Sequence, residues 1–278
     1  MAIVSVENLK MSYDKGRVKA LKGVTFDVEE GEIFGLIGPD GAGKTSLFRI
    51  LTTLLLADSG KAVVDGMDVV NDYKKIRQHI GYMPGRFSLY QDLTVEENLS
   101  FFATVFNTSI EENYHLVEDI YRQIEPFKKR KAGKLSGGMK QKLALSCALI
   151  HAPHVLFLDE PTTGVDPVSR KEFWEMLQKL KKNFKLSIVV STPYMDEALQ
   201  CDRIALIQDG QFLTIDTPEN IIRTYTQTLW SLRSDKMHKL LTDLRGIDGV
   251  KTAFAFGENH HATIDTSVLT VDSLRNRL

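Results

Sequence analysis

The residues of this 278-residue chain whose types and spacing could do chemistry begin with a lysine and a threonine behind a run of glycines. Gly38-Pro39-Asp40-Gly41-Ala42-Gly43-Lys44-Thr45-Ser46 fits the pattern G-x-x-x-x-G-K-[ST]. Glycines let such a loop curl until successive backbone N–H groups converge on phosphate oxygens. Lys44 then supplies a point charge for β- and γ-phosphates, and the Thr45 hydroxyl is placed to ligate Mg²⁺. The pattern arises by chance in about one chain in a hundred of this length, so its setting has to decide. Before it lies Ile33-Phe34-Gly35-Leu36-Ile37, an apolar run of buried-strand type. After it, Leu47, Ile50, Leu51 and Leu54 recur on one face of a helix. Strand, glycine loop and helix are the context a phosphate site requires, and the helix N-terminus adds its own attraction for anions.

Two further stretches carry chemistry. His154-Val155-Leu156-Phe157-Leu158 reads as a buried strand that ends in Asp159-Glu160. Adjacent carboxylates there repel each other and lose solvation unless a cation resolves the conflict. With a phosphate loop upstream that cation is Mg²⁺, held by Asp159, while Glu160 faces an attacking water. In Leu135-Ser136-Gly137-Gly138-Met139, Ser136 is a good N-cap and the two glycines leave backbone N–H groups uncovered at a helix start. Met139, Leu143, Cys147 and Ile150 give that helix an apolar stripe. It is a second anion-ready helix N-terminus in one chain, and its adjacent glycines imply close backbone approach to something.

The elements that must position these residues follow from hydrophobic periodicity. Ile3–Val6 and Val24–Val28 read as strands on either side of a polar loop holding Tyr13. Ala62–Gly66 looks like one arm of a hairpin. Thr94 and Glu97 form a capping box, and residues from about Glu96 to Glu125 are helical in character, with Pro126 as the stop. Ser187–Thr192 is a buried strand, Ile204–Phe212 a hairpin turning at Asp209-Gly210, and Thr217-Pro218 a helix start. Beyond, Leu229–Arg233, the amphipathic face Met237, Leu240, Leu241 and Leu244, and the runs Val250–Phe256 and Ala262–Ile264 read as a small β-α-β-β unit. Its turn falls at Gly257-Glu258-Asn259, and it is expected to lean on the main domain. Val271–Leu278 reads as a helix only just begun, so the natural chain is expected to run on. His260 and His261 are expected at a turn and exposed, a weak metal signal.

Bulk properties narrow the classes. The chain is 43% hydrophobic and 26% charged with net charge −1, which gives no general pull toward nucleic acid or anionic membrane. Lys128-Lys129-Arg130-Lys131 is expected to be a solvated surface rather than a nucleic-acid contact. Met1–Lys10 carries charges among its apolar residues, so no signal peptide is expected, and no apolar run nears the roughly 20 residues needed to span a bilayer. Cys147 and Cys201 lack metal or redox spacing and read as small core residues. A soluble chain is expected, whose membrane contact comes only through a partner.

Taken together, these stretches resemble an ATP-binding-cassette (ABC) ATPase from about Ile3 to Asn220. Gly38–Ser46 matches the Walker A loop, Leu135–Met139 the family signature and Val155–Glu160 the Walker B strand. Thr163-Gly164-Val165-Asp166 is similar to the D-loop, and Tyr13 lies where the family stacks an aromatic ring on adenine. The resemblance implies an α/β fold: a P-loop NTPase (RecA-like) core with a β-subdomain, a helical signature subdomain at about 96–150, and a small α+β extension at 226–278 after a cassette at 1–225. It implies Mg²⁺ and ATP, with Glu160 catalytic and Thr45 and Asp159 on the metal. It also implies a paired cassette whose ATP is capped by Ser136, Gly137, Gly138 and Met139, and membrane permease subunits at the cytoplasmic face. The architecture looks like the ATPase subunits of multidrug exporters. A soluble cassette acting on ribosomes or nucleic acid, and a purely regulatory ATP clamp, are the alternatives.

Three positions depart from the family pattern. Asp40 stands where Asn is frequent, a change shared with some export-type cassettes. Gly85 replaces the Gln that joins Mg²⁺ and water to the transporter contact, and Pro193 replaces the switch His at the γ-phosphate. Neither glycine nor proline can substitute chemically. An asymmetric pair is therefore expected: slow turnover in this chain's own half-site, and an intact signature serving a second cassette with both switch residues.

Overall fold

Continuous and alternating apolar runs go to different sheets here, each to the one its pattern suits. The computed structural model describes residues 1–224, 226–256, 258–275 and 277, and divides into two units, Met1–Pro218 and Glu219–Leu278. The first unit opens with β1 (Ala2–Tyr13), β2 (Val18–Glu29), β3 (Ile33–Ile37), α1 (Lys44–Leu51), β4 (Ser59–Val64) and β5 (Met67–Asp68). Next come α2 (Tyr73–His79), β6 (Ile80–Met83), α3 (Val95–Val105), α4 (Ile110–Tyr121) and α5 (Gly137–Leu149). It closes with β7 (Val155–Asp159), α6 (Pro167–Phe184), β8 (Ser187–Thr192), α7 (Met195–Ala198), β9 (Arg203–Gln208) and β10 (Gln211–Asp216), leading into α8 (Pro218–Thr224).

The alternating strands build an antiparallel sheet of order β2-β1-β4-β5. The continuous apolar strands build a second sheet of order β10-β9-β3-β8-β7-β6, parallel from β9 to β6. All five residues of β3 and of β7 are buried, as strands covered on both faces must be. One hydrophobic core joins the two sheets through α1, with Val4, Val6 and Val28 packed in the same cluster as Phe34, Phe48 and Phe157. Phe48 of α1 meets Phe157 of β7 edge-on at 5.8 Å, which seats the helix after the phosphate loop directly on the parallel sheet.

Several sequence expectations need correction. The first two strands are far longer than their most apolar stretches, and Tyr13 is the last residue of β1 rather than part of the following loop. Leu54 is outside α1 and exposed, because the helix ends at Leu51 and Thr53 turns the chain with φ +63°. His154 lies outside the buried strand expected to begin with it, since β7 starts at Val155 and His154 is exposed. The single helix expected from Glu96 to Glu125 is two. Asn107 at φ +54° breaks it, and Ser109 starts α4 with a second capping box to Glu112. The capping box at Thr94 is present: its hydroxyl accepts from Glu97 N–H, and the Glu97 carboxylate accepts from Thr94 N–H at 2.7 Å. Thr94→Ala is expected to cost about 1 kcal/mol, read in a thermal melt as a fall of about 2–4 °C. An unchanged melt would mean the box adds nothing.

Cys147 and Cys201 are buried, and burial pushes both thiols up, so they are core residues rather than reactive ones. Among the described residues no helix is long and apolar enough to cross a membrane.

The second unit contains β11 (Thr228–Leu232), α9 (Met237–Arg245), β12 (Val250–Phe256), β13 (Asn259–Ile264) and α10 (Val271–Arg275). Its antiparallel sheet has the order β11-β13-β12, and its own core includes Leu240, Leu244, Ala262 and Ile264. His260 and His261 lie within β13, not at a turn. His260 is buried with its Nε2 2.7 Å from the Met237 carbonyl oxygen, so its exposure is overturned. Period-two alternation along β13 carries the side chain inward. The turn residue Gly257 and the boundary residue Tyr225 lie outside the described residues.

Candidate functional site

In an open parallel sheet, ligands bind beyond the carboxyl ends of the strands. Strands β3, β6, β7 and β8 run parallel, so the segments that follow them all emerge at one edge. Those segments are the phosphate loop, the Gly85 loop, Asp159-Glu160 and Thr192-Pro193, the stretches singled out for chemistry.

The phosphate loop leaves β3 at Gly38, where an added Cβ would lie 2.2 Å from the Ile207 carbonyl oxygen. Gly43, the N-cap of α1, has φ +106°, and a Cβ there would lie 2.4 Å from the Ala20 carbonyl oxygen. Both positions therefore require glycine. Lys44 and Thr45 open α1, whose first-turn N–H groups have no intrahelical acceptors and point out of the helix start. The Lys44 side chain is only 3% exposed. Its Nζ donates to the carbonyls of Gly38 (2.8 Å) and Pro39 (3.0 Å) and sits 3.1 Å from Glu160 Oε1. The cation is thus anchored at the mouth of the loop, against the carboxylate read as the base. Asp40 is exposed, Gly41 turns at φ +80° with open space around it, and Ala42 is buried. Tyr13, at the end of β1, places its hydroxyl 3.0 Å from Ser46 Oγ, so an aromatic ring stands beside the start of α1.

Asp159 is buried and one of its oxygens accepts a 2.6 Å hydrogen bond from Ser191 Oγ. Ser191 also receives the Glu160 N–H on its hydroxyl at 3.1 Å. Glu160 itself has φ +51°, an uncommon conformation for a non-glycine residue and one that concentrates at functional sites. Tyr82, on the neighbouring strand, has its phenol pushed up to about 12 by burial and then by the Asp159 charge, so it stays neutral. Sequence reasoning missed Ser191. The register pairs Asp159 with Ser191 across β7 and β8, so aligning the two apolar runs would have revealed it.

A second unforeseen group holds the segment after Pro193. Thr162 Oγ1 donates to the buried Glu197 carboxylate at 2.6 Å, Arg170 Nε lies 3.6 Å from the same oxygen, and the guanidinium sits 4.3 Å over the Tyr194 ring. Only the fold shows it, because its members lie on three separate segments. Pro193 is half-buried, and the preceding Thr192 carbonyl accepts from Gly38 N–H at 3.4 Å, which puts the proline beside the phosphate loop. Gly85 is exposed, and a Cβ there would lie 3.0 Å from the Asp159 carbonyl oxygen. Both departures from the pattern therefore stand at the site, not away from it.

The signature residues lie elsewhere in the fold. Ser136 caps α5 by accepting from Met139 N–H at 3.4 Å, and Ser136 and Gly137 are exposed. The close approach expected of these glycines is partly internal: a Cβ on Gly138 would lie 2.6 Å from Ser169 Oγ. Asp166 caps α6 by accepting from Ser169 N–H at 3.0 Å, a bond that holds its carboxyl below the usual range. Among the described residues no hydrogen bond or ion pair joins 136–139 to the phosphate loop.

The arrangement fits a magnesium nucleotide. The glycine loop is a cradle that a Cβ would fill, Lys44 is a fixed cation at its mouth, and the buried Asp159 carboxylate keeps an oxygen free of Ser191. Thr45 and Asp159 are the residues that could hold the metal.

Comparison with known proteins gives a concordant result. The ABC transporter family model matches residues 21–163. The chain is 42% identical over 221 residues to the probable multidrug ABC transporter ATP-binding protein YbhF of Escherichia coli (strain K12), covering 78% of this chain and 38% of that one. It is 33% identical over 280 residues to the doxorubicin resistance ATP-binding protein DrrA of Mycobacterium tuberculosis (strain ATCC 25618 / H37Rv), covering 99% and 80%. Among solved structures, the dimeric bacterial ABC transporter cassette MJ0796 superposes with a TM-score of 0.70 at 26% identity, covering 77% of this chain and 98% of that one.

Proposed function

The chain belongs to the ABC transporter family, and on that premise we propose that it is the ATP-binding, ATP-hydrolysing subunit of a membrane exporter with a slow half-site of its own. The observation that carries this reading is the meeting of Lys44 with Glu160 at 3.1 Å, where the phosphate loop and the acidic end of β7 emerge side by side. Lys44 and the first-turn N–H groups of α1 bind the β- and γ-phosphates, and Tyr13 stacks on the adenine. Thr45 and Asp159 would hold Mg²⁺, which would supply neutralisation of phosphate charge there. Glu160 accepts the proton of the attacking water, and Ser191 fixes both Asp159 and the Glu160 backbone.

The exposed N-terminus of α5 serves the partner. Ser136 and Gly137 face outward, so their donors are offered to the ATP of a second cassette rather than to this chain's own loop. The dimeric MJ0796 cassette supports a two-cassette assembly. Export is supported by the names of YbhF and DrrA, which speak of multidrug transport and doxorubicin resistance. The permease subunits and the site of work at the cytoplasmic face follow from the same family reading.

Gly85 and Pro193 make the half-site slow, because neither carries a group to orient water or to answer the γ-phosphate. Loss of such a group costs roughly 10²–10⁴ in rate. The expected result is tight Mg-ATP binding by the purified chain with weak turnover, rising when a second cassette with Gln and His in those positions is added. Steady-state ATPase assays with and without that partner decide it. Vigorous turnover by the chain alone would sink the slow-site reading.

A further inference from the structure

At the edge of the parallel sheet opposite the phosphate loop, three side chains from three segments converge. Strands β6 and β7 are parallel neighbours with Ile80 paired to Val155. The residues just before them, His79 and His154, are therefore side by side, and His154 N–H donates to the His79 carbonyl at 2.8 Å. Their rings stand edge to face with centroids 4.9 Å apart. Both Nδ1 atoms approach one oxygen of Asp65, at 2.6 Å from His79 and 2.8 Å from His154. Asp65 comes from the tight turn between β4 and β5, where its φ is +52° and its N–H donates to the Ile3 carbonyl at 2.7 Å. The antiparallel sheet thus delivers the carboxylate and the parallel sheet delivers the imidazoles.

We propose that Asp65, His79 and His154 form a binding site for a divalent transition-metal ion of the zinc class. The three donor atoms all lie within 4.8 Å of one another. Metal–ligand bonds near 2.0–2.2 Å in a tetrahedral shell place ligand atoms roughly 3.4 Å apart, so the donors already stand near the spacing such a shell needs. Two imidazoles and one carboxylate suit Zn²⁺, Ni²⁺ or Cu²⁺, whereas Mg²⁺ and Ca²⁺ prefer an all-oxygen shell. Asp65 is 20% exposed, His79 40% and His154 58%, so the carboxylate is held and the rings can turn. Asp65 and His154 also line an open cleft beside Leu149 and Phe184, which leaves the fourth position to water or to a donor from outside. A bound ion ties the β4–β5 turn to the entrances of β6 and β7. It therefore acts as a clamp between the two sheets, remote from the nucleotide.

The test titrates the full chain with ZnCl₂ by calorimetry and with Co²⁺ by visible absorption, beside His79→Ala, His154→Ala and Asp65→Asn. Asparagine tolerates the positive φ at position 65, and both histidines are exposed enough for alanine to be accommodated. One Zn²⁺ per chain is expected, a tetrahedral Co²⁺ spectrum, and affinity reduced at least about 10-fold by each substitution. Zinc should also raise the melting temperature of the parent chain but not of the variants. Absence of binding, which would leave only two imidazoles hydrogen-bonded to a carboxylate, overturns the proposal. Binding undiminished in all three variants, which would place the ion elsewhere, overturns it as well.

Discussion

Lys44→Ala is expected to weaken ATP binding by at least about 100-fold, equivalent to about 2.7 kcal/mol. The size follows from where the ammonium sits. It is 3% exposed, tied to the Gly38 and Pro39 carbonyls, and aimed at the junction with Glu160. A charge so placed is largely shielded from water and already oriented, so a phosphate contact with it would be charge-assisted and need little reordering. Alanine also leaves the Glu160 carboxylate facing incoming phosphate without its counter-charge, and like-charge repulsion adds to the loss. The loop itself should survive, because its path depends on Gly38 and Gly43 rather than on the lysine. Equilibrium titration with a fluorescent ATP analogue, beside a thermal melt of the variant, measures both parts. Affinity within threefold of the parent would remove Lys44 from the site.

Pro193→His is expected to raise the basal ATPase rate by about 10²-fold, the lower part of the range for restoring a positioned polar group. Thr192 already bonds to Gly38, and Arg170, Glu197 and Thr162 already hold the segment that follows, so the new imidazole would stand on a prepared loop. Proline contributes no N–H there, so its removal breaks no backbone hydrogen bond. Gly85→Gln is a different case. Its Cβ would come within 3.0 Å of the Asp159 carbonyl oxygen, so the loop must move by a few tenths of an ångström before the amide can reach the site. The single Pro193 variant should therefore gain more than the single Gly85 variant, and the double variant most. Initial rates of phosphate release at saturating Mg-ATP give the comparison. If Pro193→His left the rate unchanged, the missing histidine would not be what limits turnover.

The nucleotide chemistry proposed for this chain is local, and so its residues could be read from stretches close in sequence. Gly38 to Ser46 is a contiguous loop whose glycines, lysine and threonine, on the proposed reading, would act through backbone N–H groups and side chains within one turn of each other. Asp159-Glu160 declares itself by carboxylates at the end of an apolar run, and Ser136 by its position ahead of two glycines. The buried strands were legible for the same reason, since burial on both faces leaves a continuous apolar signature. Helix ends were less so: the break at Asn107 rests on one left-handed residue, and only the Ser109–Glu112 capping box behind it marks the restart in the sequence.

What required the tertiary structure is what depends on which strands and helices lie side by side. Ser191 serves Asp159 only because β8 is the neighbour of β7, and a side chain at position 85 would meet Asp159 only because β6 is the neighbour on the other side. Gly138 looked reserved for a ligand, yet it is packed against Ser169 of the same chain. His79 and His154 are 75 residues apart and Asp65 lies in a turn of the antiparallel sheet, so no spacing rule joins them. Gly138 meets Ser169 through the packing of α5 on α6, whereas Ser191, Gly85 and the two histidines share one physical reason. Parallel pairing brings together residues separated by whole helices, and a one-dimensional pattern records the burial of each strand but not its partner.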